Sequence, residues 1–148
     1  LRREMRLGDT VVVYDEGGNW RGAGTAWYLA EAGKSVILVT PDAFVGKELE
    51  RTSADAPLRR RLACAGVQVF CEHGIARWHG NRVTLHNFLT RTEHSLPASA
   101  LVMATTNQSF DIFKEVFDKK TTYRIGDAAA PRQAPYAFYE GRQLGMSL

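Results

Sequence analysis

The chain has 148 residues, 45% of them hydrophobic and 24% charged, with a formal net charge of +3. That suits one globular domain with a core of its own. It excludes several classes: no apolar run approaches a membrane span, no signal peptide is visible, and no basic stripe interleaves with aromatics to grip nucleic acid.

Cys64 and Cys71 stand seven positions apart, without the spacing of a zinc site. They read as small apolar core residues in a reduced, cytoplasmic setting. The start at Leu1, in the run Leu1-Arg2-Arg3-Glu4-Met5-Arg6, reads as an excised piece of a longer protein. A processed chain would look the same.

The β-branched run Thr10-Val11-Val12-Val13-Tyr14 predicts a buried strand. Asp15 to Asn19 is a turn, Trp20 to about Ala32 a helix, and Gly33 its stop. Val36-Ile37-Leu38-Val39 is a second buried strand, ended by Thr40-Pro41. Strand, glycine-bearing turn, helix and strand make a βαβ unit, and unalternating apolar strands argue for a parallel sheet covered on both faces.

After an irregular connection, Ser53 is placed to cap a helix running to Gly66, and Val67-Gln68-Val69-Phe70 is a third strand. The Arg59-Arg60-Arg61 run on that helix reads as a solvated face before an anion site. Alternation then takes over. Ile75–Trp78, Arg82–His86 and Phe88–Arg91 read as antiparallel strands, with a turn at Gly80-Asn81. Ala100–Ala104 returns to a continuous apolar strand, Asp111–Phe117 reads as a short helix, Tyr123–Ile125 as a last strand, and Pro135 onwards as a terminal helix. The expected fold is α/β: a Rossmann-like three-layer arrangement with a mostly parallel sheet and an inserted antiparallel hairpin or meander.

A working dinucleotide loop needs glycine for its tight turn, for backbone approach to the pyrophosphate, and for close helix–strand packing. In Asp15-Glu16-Gly17-Gly18-Asn19-Trp20-Arg21-Gly22, the first position holds Asp15 and the third falls on Trp20. Asp15 and Glu16 put negative charge where a pyrophosphate would sit, which Arg21 offsets in part. At the end of the second strand, Thr40 and Asp42 are poor ribose anchors. The histidines, His73, His79, His86 and His94, sit in no nucleophile or metal context and receive no catalytic role.

Together "VVVYDEGGNWRGAGTAWYLAEAGKSVILVTP", "RRRLACAGVQVF", "ALVMATTNQS" and "YRIGDAAAPRQAPYAFYEGR" resemble the C-terminal half of the trimethylamine dehydrogenase and 2,4-dienoyl-CoA reductase family, also described as NADH:flavin oxidoreductases. The resemblance runs from about Gly8 to Leu144. It implies a parent flavoprotein oxidoreductase with an N-terminal TIM barrel carrying FMN and a four-iron cluster, then FAD- or ADP-binding and NAD-like modules. On that pattern residues 8–120 are the NAD(P)-binding-like module with a degenerate glycine loop. Residues 121–148 are a returning segment of a split FAD-binding-like module.

The resemblance makes Asp127, beside Gly126, a contact for the flavin ribityl chain or ADP-ribose in the parent. No catalytic residue and no metal ligand falls on this chain. The loop departures point to the amine dehydrogenase and demethylase branch, with this piece a structural module that binds no cofactor alone. Two alternatives stand beside it. In one, Gly17, Gly18 and Gly22 wrap a pyrophosphate with Arg21 as its cation, in a functional NAD(P)H-binding domain of a flavin reductase. In the other, this is a non-enzymatic Rossmann-like binding module. The implied partners are the parent's missing TIM-barrel and FAD-like domains and an electron-transfer protein. A face meant for those domains is also a route to a homodimer.

Overall fold

The computed structural model describes residues 7–110 and 122–148; the helix expected over Asp111–Phe117 lies outside them. The chain divides into two compact units, one ending at Thr105 and the other beginning at Thr106.

The first unit is built on strand β1 (Thr10–Asp15). Helix α1 (Trp20–Glu31) follows, then β2 (Ser35–Val39), helix α2 (Asp55–Cys64) and β3 (Gln68–Phe70). Three antiparallel strands come next: β4 (His73–Trp78), β5 (Arg82–Asn87) and β6 (Glu93–Pro97). Strand β7 (Ala100–Ala104) closes the unit. The parallel sheet has the order β3-β2-β1-β7 and the antiparallel one β4-β5-β6.

Side-chain alternation along β1 and β2 separates two cores. Val11, Val13, Val36 and Leu38 pack under α1 and α2, against Ala26 and Leu62 among others. Val12, Ile37 and Val39 face the meander, against Val83 and Leu85. Helices, parallel sheet and meander are therefore three layers, and the Rossmann-like expectation holds.

Both helix stops behave as expected. Gly33 (φ 81°) and Gly66 (φ 72°) adopt the left-handed conformation, and the next N–H bonds back to Leu29 and Leu62 carbonyls.

Four local expectations are corrected. Ser53 does not cap α2: it is itself left-handed (φ 55°) and ends a 3-10 turn at Lys47–Thr52, while Ala54 takes the cap position. Phe88–Arg91 is a turn, because Asn87 Oδ1 accepts from the Leu89 and Thr90 N–H groups at 2.9 and 2.8 Å; the strand is Glu93–Pro97 instead. Cys64 is exposed and Cys71 half-buried, so Cys64 is no core residue.

The fourth correction concerns the second unit. Residues 123–125 belong to no strand, and Ile125 is extended without a ladder partner among the described residues. A 3-10 turn (Gly126–Ala128) follows, and then helix α3 (Ala134–Ser147), which buries no residue.

Candidate functional site: the loop between the first strand and helix

In an open parallel sheet, ligands bind outside the carboxyl ends of the strands. Here that edge carries the loop 16–19, the start of α1 and the connection after β2. Asn19 caps α1, its Oδ1 accepting from the Arg21 N–H at 2.9 Å. Trp20, half-exposed, opens the helix.

Asp15 ends β1 and is only 1% exposed. Its Oδ1 accepts from the Gly18 N–H at 3.1 Å, while Oδ2 is buried without a partner. Gly22, in the first turn of α1, lies directly against this carboxylate. A Cβ there would fall inside the van der Waals radii of Asp15 Cβ and Cγ. Gly22 therefore performs the close helix–strand approach, two positions later than Trp20.

Burial pushes the Asp15 carboxyl up from 3.8 to about 6. The Gly18 N–H opposes this and the like charge of Asp42 adds to it. Between about pH 4 and pH 6 the folded chain holds a proton that the unfolded chain has released, so stability falls as pH rises through that window. Measured against Asp15→Asn, the unfolding free energy of the natural chain drops by up to about 3 kcal/mol from pH 4 to 7. A flat difference in urea titrations across the window overturns this.

Gly18 is clamped from its other side. It is left-handed (φ 58°), and a Cβ on it would meet Asp42 Oδ2 at 2.8 Å. Its carbonyl accepts from the Glu48 N–H at 2.9 Å, and Lys47 Nζ pairs with Asp42 Oδ1 at 2.9 Å. Thr40 is fully buried, its Oγ1 accepting from the Asp42 N–H at 3.3 Å. The region where a ribose would meet the end of β2 thus holds the chain's own Asp42–Lys47 pair. Arg21 reaches the carbonyl of Thr105 at 3.3 Å, past the end of β7. The structure brings Gly17 and Gly18, in the loop, beside Arg21 and Gly22, in the first turn of α1. The 41–48 clamp was not anticipated, because nothing local marks an irregular connection as a partner for a distant glycine.

His73 is buried at the start of β4. Its Nδ1 lies 2.5 Å from the Cys71 carbonyl and its Nε2 3.1 Å from Asn87 Nδ2. With His94 it forms an aromatic cluster around Phe70.

In the second unit, Gly126 (φ 60°) donates its N–H to Glu140 Oε2 at 2.7 Å, and that bond holds the Glu140 carboxyl below its ordinary range. Glu140 also pairs with Arg132, whose guanidinium lies 5.0 Å from the Tyr136 ring centre. Asp127 is exposed. Its Oδ1 accepts from the Arg132 N–H at 3.3 Å, and it borders a recess of about 330 Å³ with Asn107, Gln108, Phe110, Ala128 and Pro131. Among the described residues no group of His, Cys, Asp and Glu could hold a metal ion, and no helix is long and apolar enough to cross a membrane.

No family model and no curated protein matches the chain. Solved structures do. Histamine dehydrogenase from Rhizobium sp. 4-9 is 28% identical with a TM-score of 0.84, over 99% of this chain and 24% of that one. The 6-hydroxypseudooxynicotine amine oxidase from Pseudomonas geniculata N1 is 28% identical with a TM-score of 0.81, over 95% of this chain and 22% of that one. A 2-naphthoyl-CoA reductase, 24% identical with a TM-score of 0.74 over 98% of this chain, shares the fold. The chain spans about a quarter of the length of each of these proteins.

Proposed function

We propose that the chain is a structural NAD-like module of a flavin-dependent amine oxidoreductase of the trimethylamine dehydrogenase and 2,4-dienoyl-CoA reductase family, the group of its 28% identical neighbours. The observation that carries this reading is the buried Asp15 carboxylate under the loop that would otherwise face a pyrophosphate. The side chain fills the place of the ligand, and the Gly18 N–H is already committed to it. The Asp42–Lys47 pair and the Glu48–Gly18 bond add a steric reason at the ribose end. The residues present do not fit a nicotinamide dinucleotide, so no hydride step is assigned to this chain. An amine dehydrogenase and an amine oxidase, each 28% identical, support the amine branch for the parent.

FMN, the iron–sulfur cluster and FAD or ADP belong to the parent's other segments. The parent's TIM-barrel and FAD-like domains are the partners of this piece, and an electron-transfer protein is the parent's acceptor. Asp127 and Gly126, in the returning segment, are the residues we assign to such a group. An exposed carboxylate at the edge of an open recess suits a ribityl or ribose hydroxyl, whose O–H it would accept; alone it supplies too few contacts to retain one.

Titration of the folded chain with NADH and NADPH, followed by calorimetry and by the fluorescence of Trp20 at the loop, is expected to show no saturable binding. Binding at micromolar ligand would sink the structural reading and favour an NAD(P)H-binding domain of a flavin reductase.

A further inference from the structure

We propose that the glycine loop is occupied by its own carboxylate: Asp15 takes from inside the backbone N–H that a nucleotide diphosphate would take from outside, so the anion seat is masked here and returns when the carboxylate is removed. This rests on the structural-module reading and explains how the seat is closed. Three independent observations converge on it. Asp15 is 1% exposed at the end of β1 and bonds the Gly18 N–H, with the Gly17 N–H also acting on it. The space between β1 and α1 is kept open by Gly22, which has no Cβ, and the Asp15 side chain fills it. Oδ2 has no partner. A buried carboxylate oxygen left unpaired is costly, so the loop N–H groups satisfy only part of this side chain, and its filling of the loop is what the position gains.

The charged surroundings agree. The group acting on Asp15 from the connection after β2 is Asp42, of the same sign, and Lys47 is spent on Asp42. Arg21, on α1, is turned to the Thr105 carbonyl. Hydrogen bonds from the loop are the favourable contacts that hold the carboxylate, as they would hold a phosphate at a helix N-terminus.

The test is calorimetric titration with ADP of the natural chain and of Asp15→Gly, Asp15→Ser and Asp15→Asn, each checked for folding by circular dichroism and thermal unfolding. The natural chain is expected to be silent at millimolar ADP. Asp15→Gly is expected to bind at least about tenfold more tightly, which is about 1.4 kcal/mol. Asp15→Ser carries the same expectation and stands in if the glycine variant does not fold. Asp15→Asn keeps the volume without the charge and is expected to stay silent. Silence from a folded glycine or serine variant overturns the proposal. So does asparagine binding as tightly as glycine, since charge and not occupancy would then close the seat. ADP or NADH binding to the natural chain would instead refute the structural-module reading.

Discussion

Gly22→Ala is expected to destabilise the first unit by about 2 kcal/mol or more, against the ordinary direction for a glycine inside a helix. Helix propensity alone predicts a gain of about 1 kcal/mol from this change. Packing opposes it. The new methyl group would overlap the Asp15 side chain, which is buried and has no free volume to retreat into. Overpacking costs about 1–3 kcal/mol, and displacing the carboxylate from the Gly18 N–H loses a charge-assisted bond of about 1.5–3 kcal/mol. The two costs outweigh the propensity gain. Gly24→Ala, on the same helix with nothing within 4 Å of an added Cβ, supplies the internal control and should gain up to about 1 kcal/mol. In an Asp15→Gly background the Gly22→Ala cost should fall below about 1 kcal/mol, because the colliding partner is gone. Urea unfolding of the four variants measures all of this. Equal signs at positions 22 and 24 would mean that the β1–α1 contact is not the constraint.

The framework of the first unit was legible because each element carried its own signal. The Val11–Val13 run and Val36–Val39 announced strands buried on both faces, and Gly33 and Gly66 announced where the helices stop. Their alternation even separates the two cores, since Val12 and Val13 face opposite layers. Failures came where a side chain made a local bond that its residue type allowed but did not require. Asn87 folds its side chain over two following N–H groups, so a stretch with β-forming residues at Phe88 and Thr90 became a turn. Ser53, a good cap by type, closes the preceding 3-10 turn instead.

The candidate loop was half legible. An aspartate at the first glycine position was visible, and its charge was read as repulsion toward a ligand. That it turns inward, against Gly22, follows from the tertiary approach of α1 to β1 and has no local trace. The Asp42 and Glu48 contacts on Gly18 are of the same kind: they join residues about 25 to 30 apart through a connection without periodicity. Residues 123–125 show the converse. Their β-forming character is real, but a strand exists only beside a neighbour, and none is present among the described residues.

Leu38→Ala and Phe138→Ala should separate the two units energetically. Leu38 is fully buried in β2 between α1 and α2 and the sheet; truncation removes apolar contacts and leaves a cavity, at about 2–5 kcal/mol. Phe138 lies on α3, 79% exposed, on a helix without a fully buried residue. Its truncation in this chain should change stability by no more than about 0.5 kcal/mol. The larger side chain thus matters less, because burial and not size sets the cost. The family reading adds a second arm. If α3 serves as the start of a returning segment whose apolar face meets the parent's other domains, the same Phe138→Ala change in the parent enzyme should cost about 3–5 kcal/mol, the price of emptying a covered aromatic site. Thermal and urea unfolding of both lengths decide the matter. A cost above about 1 kcal/mol in this chain alone would show that α3 is already packed, for instance against a second copy, and a concentration-dependent midpoint would identify that copy. A negligible cost in both lengths would mean that the face of α3 carrying Phe138 stays in water, and that the partner domains are met elsewhere.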